Sequence, residues 1–260
     1  MTKQSPLRIT YKALAVALIL YALIFGLTAE IPVSPQMGSQ LGQSARNLLY
    51  HVPNWFAMIV MMGISLYHSI RVLRLTDPDR QRTESPLRAD IKANEAARVG
   101  VMFNVFGLLT GILWSRVSWN EVKSGLSFSA WWGWDPIQTC ALIALLIYLA
   151  YYLLRNSIED PEQKAKVSAV YNIFAFMTLI PLFFIIPRIL QGLHPTADGG
   201  DVLFKREGMN SLLRMILYPG MLGFILMGIW IYEVRSRTSL LHFRWQEWRS
   251  NRDYAQSQQS

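Results

Sequence analysis

The sequence has little charge and almost no cysteine. Charged residues make up 16% of the 260 residues, whereas hydrophobic residues make up 52%. The single cysteine, Cys140, lies in an apolar run, which excludes an internal disulfide, a CxxC pair and a CxxCH motif. The sequence also contains no P-loop, no HExxH motif and no Ser/His/Asp pattern, so any work done with a nucleotide needs another subunit. The few charges inside the apolar runs argue against a proton-driven transporter with a relay at the membrane midplane.

Apolar runs dominate what is present, and several reach the roughly 20 residues needed to cross a bilayer. They predict an all-α integral membrane protein with six transmembrane helices at 13–31, 48–72, 99–114, 136–154, 168–190 and 212–234. The first run has no small-residue cleavage site, so we interpret it as a retained helix and not a signal peptide. Pro181 and Pro187 are expected to kink the fifth helix.

The net charge of +8 is distributed unevenly along the chain. If the N-terminus is cytoplasmic, eighteen of the 25 lysines and arginines fall on the cytoplasmic side. The positive-inside rule therefore predicts that both termini are cytoplasmic and that the outer loops are short. This distribution accounts for the basic excess without nucleic acid. We divide the chain into a six-helix domain, 1–235, and a basic cytoplasmic tail, 236–260, which is either an amphipathic helix on the membrane surface or a solvated tail.

The predicted outer loop at 115–136 is rich in tryptophan. It contains Trp119 and, within the segment SAWWGWDPIQT, Trp131, Trp132 and Trp134. Three indoles within four positions predict a flat aromatic surface where a membrane helix begins. The alternative is an aromatic belt at the membrane interface, where tryptophan is common.

The residues after the tryptophans carry the signals of a helix start. Asp135 is a suitable N-cap, Pro136 suits the first helical turn, and Gln138 falls where a capping box places Glu or Gln. The simplest role for Asp135 is therefore that of an N-cap.

Two of the four histidines are predicted to lie on the same side as the tryptophans. His51 falls at the outer end of the second helix and His194 just beyond the outer end of the fifth, whereas His68 and His242 fall on the inner side. Two imidazoles beside an aromatic surface favour a flat, metal-bearing ligand, and haem takes axial imidazoles. Zinc would require three or four ligands at short spacing, and the sequence contains no such set. The alternative is that each histidine is an interface residue or a hydrogen-bonded core residue, which is the more common role of a single histidine at a helix end.

Arginines on the predicted outer side could pair with the haem propionates. Arg46 lies five residues before His51, and Arg116 and Arg188 are also on this side. The planar guanidinium suits carboxylates. Neutralisation of lipid headgroups is the alternative for any one of them.

Three segments resemble the haem-handling CcmC family of cytochrome c maturation. The segment SAWWGWDPIQT resembles the tryptophan-rich WWD signature shared by the CcmC, CcmF and CcsA families. The segments ARNLLYHVPNWFAM, with His51, and RILQGLHP, with His194, resemble the two histidine segments of CcmC. The order of the motifs and the six helices match over residues 10–235.

The resemblance implies a function in cytochrome c-type biogenesis at a bacterial inner membrane. Non-covalent, transient haem b would be held on the periplasmic face by His51 and His194 as axial ligands, over the Trp-rich loop. It would pass to a periplasmic haem chaperone of the CcmE type. CcmA and CcmB, the subunits of an ABC-type complex, and the small CcmD would be further partners. The chain would be a haem-binding and transfer scaffold more than a stand-alone enzyme.

One position departs from the CcmC pattern. Ile137 stands where the family commonly has arginine, and the Asp-Pro form of the motif is closer to CcsA and CcmF. A component of a CcsA-type cytochrome c haem lyase therefore remains an alternative, as does a haem-free membrane transport subunit with an ordinary aromatic belt.

Overall fold

The computed structural model describes residues 6–31, 45–77, 85–122, 131–190, 192–194 and 209–257. Six helices in these ranges are long and apolar enough to cross a membrane. They are α1 (Pro6–Thr28), α2 (Leu48–Leu75), α3 (Pro86–Val122), α4 (Pro136–Asn156), α5 (Pro161–Ile189) and α6 (Ser211–Ser257). Each predicted span overlaps one of them, so the prediction of a six-helix, multi-pass membrane protein is confirmed.

Several helices extend beyond their predicted spans, and two of them continue into segments predicted to be a loop or a tail. Helix α3 ends at Val122, so the predicted loop 115–136 is wrong over residues 115–122. Helix α6 continues to Ser257, so the described part of the predicted tail is helical. Neither extension contains glycine or proline, the residues that most strongly disfavour a helix interior. Polarity alone suggested a loop, but polarity marks exposure and does not end a helix.

Helix α5 is irregular in the region where prolines predicted a kink. An α-helix at Pro161–Ile180 is followed by a π-helical turn at Pro181–Ile185 and a short α-helical end at Ile186–Ile189. Proline lacks the N–H that an α-helix requires, and π-helical turns frequently occur at functional sites. This turn presents Phe183 towards α2, where its ring lies 5.3 Å from that of Trp55 between centroids.

Helix α2 lies at the centre of the bundle and packs against α3, α5 and α6. Its Met58, Met61 and Met62 are fully buried, together with Phe103 of α3 and Tyr148 of α4. The flexible methionine side chains fill the space between the helices. This packing fixes α2, and with it His51 in its first turn.

Helix α1 packs against α6 through small residues. A Cβ atom at Gly220 would lie 3.1 Å from Cβ of Ala22, and one at Gly223 would lie 3.0 Å from Cβ of Leu18. Close approach through glycine and alanine is typical of helix pairs in membranes, where packing replaces the hydrophobic effect as the driving force.

The two ends of the bundle differ in chemistry. We call the end that carries His51 and Asp135 the His51 end, and the opposite end the Asp90 end. At the Asp90 end, Arg155 of α4 makes two hydrogen bonds with Asp90 of α3, at 2.7 and 2.5 Å. Arg235 of α6 binds the buried Glu95 of α3 at 2.7 Å. Ion pairs therefore join α3, α4 and α6 at this end.

Candidate functional site

The two histidines predicted to act together are neighbours. The ring centroids of His51 and His194 are 6.5 Å apart, with an angle of 49° between the ring planes. Both side chains are partly buried. His51 comes from the first turn of α2, and His194 from the short segment 192–194 after α5. The prediction that these two residues share one end of the bundle is confirmed.

Both ring nitrogens of His51 have a partner in the helices. The Nδ1 atom lies 3.0 Å from the Thr110 hydroxyl of α3. The Nε2 atom accepts a hydrogen bond of 3.1 Å from the indole N–H of Trp55, one turn along α2. Helical residues four positions apart lie on the same face, which explains the second contact. The ring is therefore held in one orientation.

Glycines allow α3 to approach these side chains closely. A Cβ atom at Gly111 would lie 2.9 Å from Cε1 of His51, and one at Gly107 would lie 2.8 Å from the Trp55 ring. On the same helix, the Thr110 carbonyl accepts a hydrogen bond of 2.9 Å from the Asn47 amide. The α2–α3 contact at this end thus depends on the absence of side chains at positions 107 and 111.

His194 is held by aromatic packing and by its neighbour in the chain. Its ring centroid lies 6.1 Å from that of Trp114, in an edge-on arrangement. The backbone N–H of Leu193 donates to Oδ2 of Asp135 at 2.8 Å. Burial lowers the pKa of the His194 imidazole from its usual value, although the Asp135 carboxylate acts in the opposite direction. Burial therefore favours the neutral form, the one that binds metals.

Asp135 is the predicted N-cap of α4. Its Oδ1 accepts hydrogen bonds from the backbone N–H groups of Ile137, at 3.0 Å, and Gln138, at 3.4 Å. The predicted capping box is wrong, because the Asp135 N–H donates to the Gly133 carbonyl and not to Gln138. The Gln138 side-chain amide is buried and has no hydrogen-bond partner among the described residues. Asp135 thus caps α4 with one oxygen and holds the segment before His194 with the other.

The tryptophans before Asp135 are largely exposed. Trp131 is 58% exposed and Trp134 is 78% exposed. Trp132 packs edge-on against Trp134, with ring centroids 6.0 Å apart. The Arg116 guanidinium stacks on the Trp131 ring at 3.7 Å from its centroid, a cation–π contact. Indole surface is thus available to a ligand or a partner at this end.

Two polar groups beside these rings are buried without a hydrogen-bond partner in the described part of the chain. They are Nη1 of Arg116 and the indole N–H of Trp132. Both are donors, and an unsatisfied buried donor is costly. An anionic or carbonyl oxygen from a ligand would satisfy either group.

Two other arginines predicted to pair with haem propionates donate hydrogen bonds to backbone carbonyls. Arg46 donates to the Gly26 and Leu27 carbonyls at the end of α1, at 2.8 and 3.2 Å. Arg188 donates to the Phe184 carbonyl of its own helix at 2.9 Å. Trp119 lies on α3, and its side chain is outside the described part of the structure.

His68 and His242 lie away from the pair formed by His51 and His194. His68 is buried, and its Nε2 lies 2.9 Å from the Tyr232 hydroxyl. It is 17 positions after His51 on α2, which corresponds to about 25 Å along the helix axis. His242 is exposed on the extension of α6. Within the described ranges, no group of three or more His, Cys, Asp or Glu residues could hold a metal ion.

A groove of about 770 Å³ lies between α1 and α6, away from the predicted site residues. Its lining includes Tyr21, Arg214 and Tyr218. The pair of histidines therefore lies outside this groove, among packed helices.

The residues that hold His51 were not predicted from the sequence. Trp55 could have been found, because a position four residues after a histidine shares its helix face. Thr110 and Gly111 could not, because nothing in one sequence relates the register of α3 to that of α2.

The sequence of this chain is similar to those of known proteins. Heme exporter protein C of Paracoccus denitrificans is 29% identical over 203 residues, covering 76% of this chain and 74% of the relative. Heme exporter protein C of Bradyrhizobium diazoefficiens is 28% identical over 209 residues, covering 79% and 70%. Cytochrome c biogenesis protein CcsA of Prochlorococcus marinus (strain MIT 9303) is 33% identical over 101 residues, covering 39% and 28%. The family model for CcmC, heme exporter protein C, matches residues 3–251, so this chain belongs to the CcmC family.

Proposed function

We propose that this chain binds haem between His51 and His194 and presents it for cytochrome c maturation. The observation that carries the proposal is the position of the two imidazoles, whose ring centroids are 6.5 Å apart. The names of the relatives, heme exporter protein C and cytochrome c biogenesis protein CcsA, support the same process.

The geometry of the two imidazoles fits haem iron. A metal–imidazole bond is about 2.0–2.1 Å long and the ring centre lies about 1 Å beyond the bound nitrogen, so two imidazoles on opposite sides of one metal have centroids about 6 Å apart. The observed 6.5 Å is close to this value. The indoles of Trp55 and Trp114 adjoin the pair and supply apolar surroundings for a porphyrin. Bound haem b would supply an iron centre that takes two axial imidazoles, held without a covalent bond to the protein.

Arg116 is our first choice of partner for a haem propionate. Its Nη1 is buried without a hydrogen-bond partner in the described part of the chain, while its guanidinium stacks on Trp131. A carboxylate would accept that hydrogen bond in a charge-assisted pair. Arg46 is the second choice. Its guanidinium already donates hydrogen bonds to two carbonyls of α1, and it would have to break them to bind a propionate.

The exposed tryptophans form the proposed platform for haem and its acceptor. Trp131 and Trp134 expose more than half of their surface, and Trp132 packs against Trp134. Trp119, on the same end of α3, is proposed to extend the platform. Asp135 is proposed as a positioning residue that joins this platform to His194 through Leu193.

The proposed site faces the periplasm of a bacterium, with the chain in the inner membrane. The excess of lysine and arginine on the segments at the Asp90 end supports this orientation by the positive-inside rule. Both termini are then cytoplasmic, residues 1–235 form the membrane domain, and residues 236–260 extend from it on the cytoplasmic side.

The proposed acceptor is a periplasmic haem chaperone of the CcmE type. Membership of the CcmC family supports this choice, and supports CcmA and CcmB, the subunits of an ABC-type complex, and CcmD as further partners. The chain itself is proposed to be a scaffold for binding and transfer. The match to CcsA over 101 residues favours one other candidate, a component of a cytochrome c haem lyase.

Haem loading of the chaperone in cells tests the proposed function. A bacterium that lacks its own CcmC would express this chain, and the haem covalently bound to the chaperone would be measured after a denaturing gel. We expect loading with the wild type and with His242→Ala, whose exposed histidine lies on the extension of α6. We expect none with His51→Ala or His194→Ala at equal protein levels. Undiminished loading in both of these variants would overturn the proposal.

A further inference from the structure

The hydrogen bonds around His51 determine which of its ring nitrogens carries the proton. An indole N–H is a donor and not an acceptor, so Nε2 of His51 must accept from Trp55 with its lone pair. In a neutral imidazole the other nitrogen then carries the proton. Nδ1–H is therefore the donor to the Thr110 hydroxyl, at 3.0 Å.

The Thr110 hydroxyl is itself oriented to accept. Its oxygen lies 2.8 Å from the Phe106 carbonyl and 3.0 Å from the Gly107 carbonyl, both in the preceding turn of α3. Its proton points towards these carbonyls, which leaves its lone pairs for Nδ1–H of His51. Helix α3 thus specifies the Nδ1–H tautomer through its backbone and one side chain.

The contacts of the Trp55 ring orient its indole N–H. Its ring packs against Phe183 of the π-helical turn, with centroids 5.3 Å apart, and lies directly over Gly107. It meets the His51 ring nearly at a right angle, at 80°, with centroids 5.7 Å apart. The indole N–H therefore points at the Nε2 lone pair, the group that a metal would bind in this tautomer.

We propose that Thr110 and Trp55 control the ligand state of His51. Thr110 is a positioning residue that keeps the proton on Nδ1, so that Nε2 presents a lone pair to iron. Trp55 is a displaceable cap, whose N–H occupies that lone pair until haem enters. Nε2 of His51 would hold the haem iron with this lone pair, the Trp55 N–H would then have no acceptor, and the proton would stay on Nδ1. The inference rests on the proposed function.

The two residues are predicted to act in opposite directions on haem affinity. Removal of the cap eliminates a competitor for Nε2, and one hydrogen bond corresponds to about a two- to tenfold change in an equilibrium constant. We therefore expect Trp55→Phe, which keeps an aromatic ring against Phe183, to bind haem about two- to tenfold more tightly.

Loss of the Thr110 hydroxyl has the reverse effect. Partners that hydrogen-bond the outer nitrogen of a ligating histidine raise its basicity, and their loss weakens metal affinity about 10- to 100-fold. We expect Thr110→Val, which lacks the acceptor for Nδ1–H, to bind haem about 10- to 100-fold more weakly. A less basic ligand stabilises ferric iron less, so the midpoint potential of the bound haem should rise. Thr110→Ser should restore both values.

The experiment titrates the full-length protein in detergent with haemin, followed by the Soret band, and then measures the midpoint potential of each loaded variant. Trp230→Phe and Thr178→Val are matched controls. The Trp230 ring contacts Lys12, and the Thr178 hydroxyl donates to the Ala175 carbonyl of its own helix. Both controls should retain the wild-type affinity and potential.

The outcomes separate the inference from the proposed function. Haemin binding by the wild type that His51→Ala weakens, together with opposite shifts in Trp55→Phe and Thr110→Val, would support the inference. The same binding with wild-type values in both of these variants would overturn the inference and leave the proposed function standing. Absence of haemin binding by the wild type would overturn both. If Trp55→Phe does not fold, the affinity and potential of Thr110→Val, with rescue by serine, decide the outcome.

Discussion

The carboxylate of Asp135 accepts a hydrogen bond of 2.8 Å from the backbone N–H of Leu193, the residue before His194. The other oxygen of the same carboxylate caps α4. The start of α4, directly after the tryptophans, is therefore tied to the histidine that follows α5. A Cβ atom at Gly192 would lie 2.5 Å from Oδ2 of Asp135, so this contact also requires a glycine.

Asp135→Ala should weaken haem binding as well as helix α4. The cap alone is worth roughly 1 kcal/mol of stability, and the lost contact with Leu193 frees the segment that carries His194. Asp160→Ala is a matched control, because Asp160 caps α5 before a proline in the same way but lies away from the histidines. We expect a similar loss of thermal stability in both variants and weaker haemin binding in Asp135→Ala alone. Equal haemin affinity in the two variants would contradict this role of Asp135.

Gly111→Ala should disturb His51 without loss of helix stability. Alanine favours a helix over glycine by about 0.5–1 kcal/mol, but its Cβ at position 111 would lie 2.9 Å from Cε1 of His51. We expect weaker haemin binding and a shifted Soret band. The control is Gly63→Ala on α2, where a Cβ meets no atom of the described residues within 4 Å and should leave the spectrum unchanged. A Gly111→Ala spectrum identical to that of the control would show that the ring is not held against α3.

Arg116→Gln should weaken the binding of haem with free propionates. The guanidinium is held on Trp131 with one nitrogen unsatisfied in the described structure, and glutamine has no positive charge to pair with a carboxylate. The affinity for haemin should fall roughly tenfold, as for loss of one hydrogen bond to a charged group. Arg188→Gln is the control, since that arginine is bonded to a carbonyl of its own helix. The loss should disappear with haemin dimethyl ester, and a loss that persists with the ester would rule out propionate pairing.

Asp90→Asn should destabilise the bundle strongly. The substitution removes the carboxylate from a largely buried, bidentate ion pair with Arg155. The charge of Arg155 is then uncompensated between α3 and α4. Such a change costs about 3–5 kcal/mol. The measurement is the free energy of unfolding in mixed detergent micelles, with Asp253→Asn as the control, because its pair with Arg249 is exposed. A loss in Asp90→Asn no larger than in the control would contradict the structural role of this pair.

The local signals in the sequence predicted the number and order of the membrane helices and the cap of α4 correctly, but not the full length of the helices. Hydrophobic run length identified the six membrane helices, and the Asp-Pro sequence identified Asp135 as the N-cap. Alternation of the helices across the membrane brought His51 and His194 to one end. These features depend on short segments or on the number of crossings, which a single sequence contains.

The contacts between helices could not be predicted in the same way. The position of Thr110 against Nδ1 of His51 depends on the rotation of α3 against α2, which the buried methionines and phenylalanine of the core determine together. The hydrogen bond from the Leu193 N–H to Asp135 depends on the path of the chain after the end of α5. The capping box failed because the Asp135 N–H had a closer partner in Gly133.

The visible absorption spectrum of the purified protein tests the central claim most directly. The full-length chain would be purified in mild detergent, supplied with haemin, and recorded oxidised and reduced for the wild type, His51→Ala, His194→Ala and His242→Ala. The account predicts the Soret band of a bis-imidazole haem in the wild type and in His242→Ala, and a lost or shifted band in the other two variants. A wild type that takes up no haem, or a band indifferent to both His51 and His194, would contradict it.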